Sequence, residues 1–209
     1  MFLNAVLFNS EAWHGISNTE IENMEKVDEA LLRGLLKAHS KIPKEALYLE
    51  TGSTPINYII KNRRMNYLYN IITKEDDELV KEVYEAQKAS PIDGDYYRLI
   101  EADAADIILQ LSVKEISQMK EKKYKNVVKQ KVKEAAFKSL LDRKSTHSKM
   151  GNLAYKNLEL QEYLQSPLFG SEDSQMLLAL RTRTVRGVKS DFKGMFQDVK
   201  CPLVCGEVM

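Results

Sequence analysis

Apolar residues recur at spacings of three and four along most of this chain, which is the pattern of amphipathic helices. The alternation of apolar and polar residues that indicates strands is scarce. Residues 18–38 give the clearest helix signal, because Ser17 and Glu20 match a capping box at its N-terminus. The apolar positions that follow are Ile21, Met24, Val27, Leu31 and Leu35. The pattern predicts an all-α fold, a multi-helix array without a substantial sheet.

Proline and glycine residues place the next two helices. Pro43 favours the start of a short helix that runs to about Glu50, and Gly52 suits its C-terminal cap. Thr54 and Pro55 are predicted to be the N-cap and the first residue of the following helix. The apolar side of that helix comprises Ile56, Ile59, Ile60, Tyr67 and Ile71.

Acidic residues 75–78 suit the first turn of another helix, where they face the positive end of the helix dipole. Residues 90–94, with Pro91 and Gly94, end that helix and are the strongest interruption before residue 166. We therefore predict a boundary between a helical region 1–90 and a second helical region 91–196. Helices are predicted there over residues 96–111 and 157–165, followed by a turn at 166–170 and a helix with Ser171 as its N-cap.

A long basic amphipathic helix is predicted near the middle of the chain. Ser112 and Glu115 match a second capping box, and residues 115–144 contain neither glycine nor proline. At about 100° per residue, one arc of this helix is apolar and the opposite arc is basic. The apolar arc comprises Tyr124, Val127, Val128, Val132 and Ala135, and the basic arc comprises Lys122, Lys125, Lys129 and Lys133.

The net charge of +1 conceals a strong local asymmetry. Residues 120–149 hold 11 of the 31 lysines and arginines but only three acidic residues. Such a stretch is typical of a surface that binds the phosphate backbone of a nucleic acid. A basic arc is also the ordinary solvated face of a helix, so this alternative stays open. Arginine suits bidentate phosphate contacts, so a second basic cluster is also a candidate. The predicted nucleic-acid-binding residues are Lys122, Lys125, Lys129, Lys133, Arg181, Arg183, Arg186 and Lys189.

Catalytic motifs are missing from the sequence. It contains no glycine-rich phosphate loop, no G-x-S-x-G, no H-E-x-x-H and no paired-aspartate polymerase motif. His14, His39 and His147 are scattered, and acidic residues 75–78 are more typical of a solvated helix start than of a Mg²⁺ site. We therefore expect no catalytic residue, and a binding function rather than an enzyme.

Two cysteines near the end of the chain, Cys201 and Cys205, have the spacing of half a zinc site. Zinc needs four ligands and no further Cys or His follows, so we expect no cofactor unless the missing ligands are supplied. A pair of free thiols is an equal alternative.

Residues 1–8 are apolar but lack the features of a signal peptide and are too short to span a bilayer, which favours a buried first helix. Without a disulfide framework or a membrane span, the expected location is intracellular.

Several stretches together resemble one family. They are residues 9–13 (NSEAW), 20–36, 43–72, 180–196 (LRTRTVRGVKSDFKGMF) and 201–205 (CPLVC). In this order they resemble the C-terminal part of non-LTR (LINE-like) retrotransposon reverse transcriptases, the RNA-directed DNA polymerases of these transposable elements. The resemblance implies a thumb-like region at 1–90, a helical connector at 91–196 and the truncated start of a zinc knuckle at 197–209.

The resemblance also implies what the chain contacts. The palm, which carries the catalytic aspartates in the family, would lie before residue 1, so the expected chain is a catalytically incomplete fragment. Cys201 and Cys205 would occupy the first two ligand positions of the knuckle, at a spacing one residue longer than the family's CPLC. The implied partners are RNA or DNA, held through the backbone, and the upstream polymerase domain, in the nucleus or the cytoplasm.

A second hypothesis assigns a different class of function. In it, the chain is a helical protein–protein interaction module without nucleic-acid binding. The apolar faces of the first helices, including residues 1–8, would pair with a partner chain, and the basic arc would only be solvated.

Overall fold

The computed structural model describes residues 5–13, 16–76, 78–147, 150, 153–165 and 171–182. Within these residues the chain forms nine α-helices and no strand, which confirms the predicted all-α fold. In chain order they are α1 Asn18–Leu36, α2 Lys44–Thr51, α3 Ile56–Ile72, α4 Leu79–Ala89, α5 Tyr96–Asp106, α6 Val113–Gln118, α7 Glu121–Ser145, α8 Glu162–Gln165 and α9 Ser171–Arg181. A short 3-10 helix, Ser10–Ala12, precedes them.

Helix α3 lies at the centre of the described fold. It packs against α1, α4, α5, α6 and α7 and against the 3-10 helix. One hydrophobic core cluster joins most of these elements and extends from Leu32 to Leu178, so it holds residues from both sides of residue 90. The division of the chain into regions at residue 90 stays a prediction.

Three of the predicted caps are confirmed. Ser17 and Glu20 form both bonds of a capping box at α1, and Ser112 and Glu115 do the same at α6. Gly52 follows α2 in the left-handed conformation, with φ of 66°. At α3 the prediction was wrong by one residue, since Pro55 is the N-cap and the helix begins at Ile56. Each cap satisfies or orients backbone groups that a helix end leaves without a partner.

The predicted continuous helix after Ser112 is divided in two, which corrects the sequence analysis. Helix α6 ends at Gln118, Met119 is extended, and α7 begins at Glu121. Tyr69 donates its hydroxyl proton to the Met119 carbonyl at 2.9 Å, which satisfies a backbone group at the break. Ile116 of α6 is buried in the core. No glycine or proline is needed where a tertiary contact holds the break.

Three other boundaries differ from the prediction. Helix α4 begins at Leu79, so the acidic run precedes it; Asp76 pairs with Lys81 at 2.6 Å rather than occupying the first turn. Helix α5 ends at Asp106 and not near 111, because Ile108 takes a left-handed conformation with φ of 54° after Ile107 is buried. Helix α8 covers only Glu162–Gln165 of the predicted 157–165.

The start of the described chain is only partly the buried helix expected for residues 1–8. Ala5 and Val6 are helical, after which the chain turns. Leu7 is fully buried against Ile56 and Ile60, whereas Phe8 is 71% exposed. Within the described residues no helix is long and apolar enough to cross a membrane.

Helix α1 is rotated relative to its predicted apolar line. Its buried residues are Glu25, Asp28 and Leu32, whereas Val27, Leu31 and Leu35 are exposed. The buried carboxylates have partners on α2: Asp28 accepts a hydrogen bond from the Tyr48 hydroxyl at 3.0 Å, and Lys44 pairs with Glu25 at 3.4 Å. These pairings compensate for the burial of charge and decide which side of α1 faces inward.

Candidate nucleic-acid interface

Helix α7 is held in one orientation by a stripe of buried residues at every fourth position, from Tyr124 to Lys144. Tyr124 is the anchor, because its ring stacks on Tyr69 with centroids 5.1 Å apart and its hydroxyl donates to the Met65 carbonyl at 2.9 Å. The helix packs against α3 and α2 through this stripe. Its opposite side therefore faces outward.

Residues 156–160 lie beside the outward side of α7. Gly52 makes this possible, since a Cβ atom there would come within 2.4 Å of the Glu159 carbonyl carbon. An antiparallel bridge joins Thr51 to Leu160, and the Gln161 amide donates to the Glu50 carbonyl at 3.0 Å. Leu158 is buried in the core. The backbone of α2 thus fixes the position of a segment that is more than 100 residues away in sequence.

Two shallow grooves on α7 meet to form one basic surface. The first is lined by Lys129, Lys133 and Lys156 together with two acids, Glu134 and Glu159, and with Asn126, Gln130, Phe137, Asn157 and Leu158. The second continues along the first turns of α7 and is lined by Lys120, Lys122 and Lys123; it shares Asn126 and Gln130 with the first. We call this the lysine face: Lys120, Lys122, Lys123, Lys129, Lys133 and Lys156.

The charges of the lysine face are available to a ligand. Within the described part of the chain, none of its six lysines forms an ion pair, and all except the half-buried Lys133 are exposed. Other lysines of α7 differ, because Lys125 pairs with Glu121 and Lys131 pairs with Glu134 at 3.1 Å. Hydrogen bonds from Gln130 and Lys131 lower the pKa of Glu134, so this lining acid is ionised at neutral pH and already has Lys131 as its cation.

Three of the four lysines predicted on this helix lie on this surface. Lys122, Lys129 and Lys133 line the grooves, whereas Lys125 lines neither and pairs with Glu121. Lys120 and Lys123 were missed although they lie in the same basic run. Lys156 was missed because only the tertiary contact at Gly52 brings it to α7, and no local pattern signals that contact.

Arg181 occupies a different environment from the one predicted. Its Nε donates to the Glu50 carboxylate at 2.9 Å, and its guanidinium lies over the rings of Tyr155 and Tyr163. Glu50 is fully buried, so this is an internal ion pair and we leave Arg181 out of the proposed interface. The other predicted residues, Arg183, Arg186, Lys189, Cys201 and Cys205, lie outside the described residues.

Potential metal ligands are not clustered among the residues that the structure describes. No group of three or more His, Cys, Asp or Glu side chains is placed there to hold a metal ion. The imidazole of His39 accepts a hydrogen bond from the Lys41 amide at 3.1 Å, and His147 lies 3.2 Å from Glu45. The third histidine, His14, is outside the described residues.

Comparison with known proteins adds no assignment. No family model, no curated protein and no solved structure gives a significant match to this chain. The resemblance to non-LTR reverse transcriptases therefore rests on the sequence stretches alone.

Proposed function

We propose that this chain binds RNA or DNA through the phosphate backbone, without base specificity, and that the lysine face of α7 is the binding surface. The observation that carries the proposal is the continuous set of six lysines with no acidic partner among the described residues. Lysine is a compact charge without the geometry to distinguish bases, so it supports affinity rather than sequence readout.

The dimensions of the lysine face suit a polyanion. The helical rise places Lys120 and Lys133 about 20 Å apart along α7, a length that matches about six base pairs of duplex. Asn126 lines both grooves and offers an amide donor that suits phosphate or sugar oxygens. Lys156 widens the charged surface on the side of residues 156–159.

We further propose that the chain corresponds to the thumb and connector of a non-LTR retrotransposon reverse transcriptase. The ordered resemblance of residues 9–13, 20–36, 43–72, 180–196 and 201–205 supports this proposal. A thumb and connector would hold template, primer or element RNA by the backbone, which is the activity that the lysine face suits. The proposed activity is binding rather than catalysis, because the resembling stretches lie after the polymerase active site.

The test is the salt dependence of binding to a labelled structured RNA and to a DNA duplex. Each lost phosphate contact reduces the slope of log K against log salt by about 0.9 for duplex DNA. The variant Lys129→Gln, Lys133→Gln, Lys156→Gln should therefore lower the slope by about 3 units and weaken binding more than about 100-fold near 0.1 M salt.

A matched variant separates position from net charge. Lys74→Gln, Lys88→Gln, Lys125→Gln removes three lysines that pair with Glu78, Glu85 and Glu121, none of which lines either groove. It carries the same net charge as the first variant and should keep nearly all of the affinity. Equal losses in both variants would refute the lysine face as the site, and no binding by the wild type at low salt would refute the proposed function.

A further inference from the structure

Helix α1 has an exposed apolar face that no described residue covers. Leu35 is 80% exposed, Val27 is 48% exposed and Leu31 is 40% exposed. Ala30 and Gly34 lie on the same side and are also exposed, and a Cβ atom at Gly34 would have nothing within 4 Å. We call these five residues the outer face of α1: Val27, Ala30, Leu31, Gly34 and Leu35.

The outer face has the spacing of a helix-pairing seam. Its large residues recur at intervals of four, and at 100° per residue all five positions fall within about 140° of the helix circumference. The inward side of the same helix carries the paired carboxylates Glu25 and Asp28. Val27, Leu31 and Leu35 are directed outward, where a second helix would bury them, whereas Leu32 lies in the core.

The two ends of this face carry opposite charges. Between Asn23 and Leu35 the face carries no charge, whereas Glu20 lies at its N-terminal end and Lys37 follows its C-terminal end. Both are exposed, and Lys37 has no ion-pair partner in the described chain. An antiparallel copy of the same helix would place Lys37 of each copy near Glu20 of the other, so the face is complementary to itself.

We propose that two copies of this chain associate through their outer faces, with the two α1 helices antiparallel. In this arrangement Val27 of one copy packs against Leu31 of the other. The missing side chain at Gly34 lets the two helices approach closely. The two-fold axis lies near the middle of α1, so each contact occurs twice. This interface uses none of the residues of the lysine face.

Sedimentation of the full chain tests whether this face forms the dimer. Between about 1 µM and about 1 mM the wild type should change from monomer to dimer. Leu31→Glu should raise the dissociation constant by about 30-fold or more, because it places a charge at the centre of the seam. Val83→Glu, at an exposed valine of α4, is the matched control and should dimerise as the wild type does. A wild type that stays monomeric, or a Leu31→Glu variant that dimerises like the control, would overturn the proposal.

Cross-linking tests the antiparallel orientation. In a background with Cys201→Ser and Cys205→Ser, a copy with Val27→Cys is mixed with a copy with Leu31→Cys and oxidised. The mixture should give a disulfide-linked dimer, whereas Val27→Cys alone should give little, since position 27 faces position 31 and not itself. Efficient linkage of Val27→Cys to itself would indicate a parallel pair and overturn the proposed arrangement.

Discussion

Arg181 at the end of α9 donates a hydrogen bond to Glu50 on α2 at 2.9 Å, although 131 positions separate the two residues. The Glu50 carboxylate is fully buried and also accepts a hydrogen bond from the Tyr155 hydroxyl at 2.6 Å. Two residues far along the chain thus compensate a charge that α2 places in the core. Arg181 therefore stabilises the fold by compensating the buried charge of Glu50.

Replacement of Arg181 should therefore affect stability and not nucleic-acid binding. Arg181→Leu leaves Glu50 buried without its cation, which costs about 3 kcal/mol for a pair of this kind. Chemical denaturation measures the loss. Arg98→Leu, which breaks an exposed pair with Glu101, should cost less than about 1 kcal/mol. Reduced binding by folded Arg181→Leu, with stability unchanged, would instead assign this arginine to the interface.

Gly52 should be required both for stability and for the position of Lys156. Gly52→Ala adds a Cβ atom that collides with the backbone of residues 159 and 160 at a φ of +66°, so we expect a loss of about 2–4 kcal/mol. Gly94 also has a positive φ, of 93°, but an added Cβ atom there would have nothing within 4 Å. Gly94→Ala therefore measures the conformational strain without a collision. Equal effects of the two substitutions in thermal unfolding would contradict the close approach at Gly52.

The hydroxyl of Tyr124 should stabilise the attachment of α7 to α3. Tyr124→Phe keeps the ring stacked on Tyr69 but removes the hydrogen bond to the Met65 carbonyl, for an expected loss of about 1 kcal/mol. Tyr97→Phe removes a hydroxyl that bonds Glu101 near the surface and should cost less. Urea unfolding distinguishes the two, and an unchanged midpoint for Tyr124→Phe would show that this hydrogen bond makes no net contribution.

The pH dependence of stability should show that the Asp28 carboxyl is buried and has a raised pKa. Burial raises the pKa of this carboxyl above its ordinary value of 3.8, and the hydrogen bond from Tyr48 opposes that shift only in part. Because the pKa is higher in the folded state, the contribution of Asp28 is fully present below about 3.8 and is lost as pH rises through the folded pKa. Asn can still accept the Tyr48 hydrogen bond but does not titrate.

Asp28→Asn should therefore gain stability relative to the wild type as pH rises from about 4 to about 8. The measurement is the difference in the free energy of unfolding between the two proteins across that range. The difference isolates this group, since Asp103, whose pKa burial also raises, is present in both. A difference that is constant or that falls with pH would be inconsistent with a buried Asp28.

Local signals predicted the helices well, because caps and turn residues act within a few positions. The capping boxes at Ser17 and Ser112 and the left-handed Gly52 are examples. The break at Met119 could not be predicted in this way, since it depends on a hydrogen bond from Tyr69. The orientation of α1 was also mispredicted, because the partners that stabilise Glu25 and Asp28 in the interior lie on another helix.

The candidate site, like the fold, could be predicted only where the signal is local in the sequence. The excess of lysine on α7 was evident from the composition of residues 120–149. The sequence did not indicate which of these lysines have acidic partners. Lys125 and Lys129 look equivalent on a helical projection, and only the structure pairs Lys125 with Glu121. Lys156 joins the surface through a contact made by Gly52, and no spacing in the sequence encodes that contact.

The most direct test of the proposed function is the slope of log K against log salt for DNA-duplex binding by the wild type and by Lys129→Gln, Lys133→Gln, Lys156→Gln. We predict a steep slope for the wild type and a slope about 3 units shallower for the variant, with the paired-lysine control close to the wild type. Slopes that are equal in all three proteins would contradict the assignment of nucleic-acid binding to the lysine face.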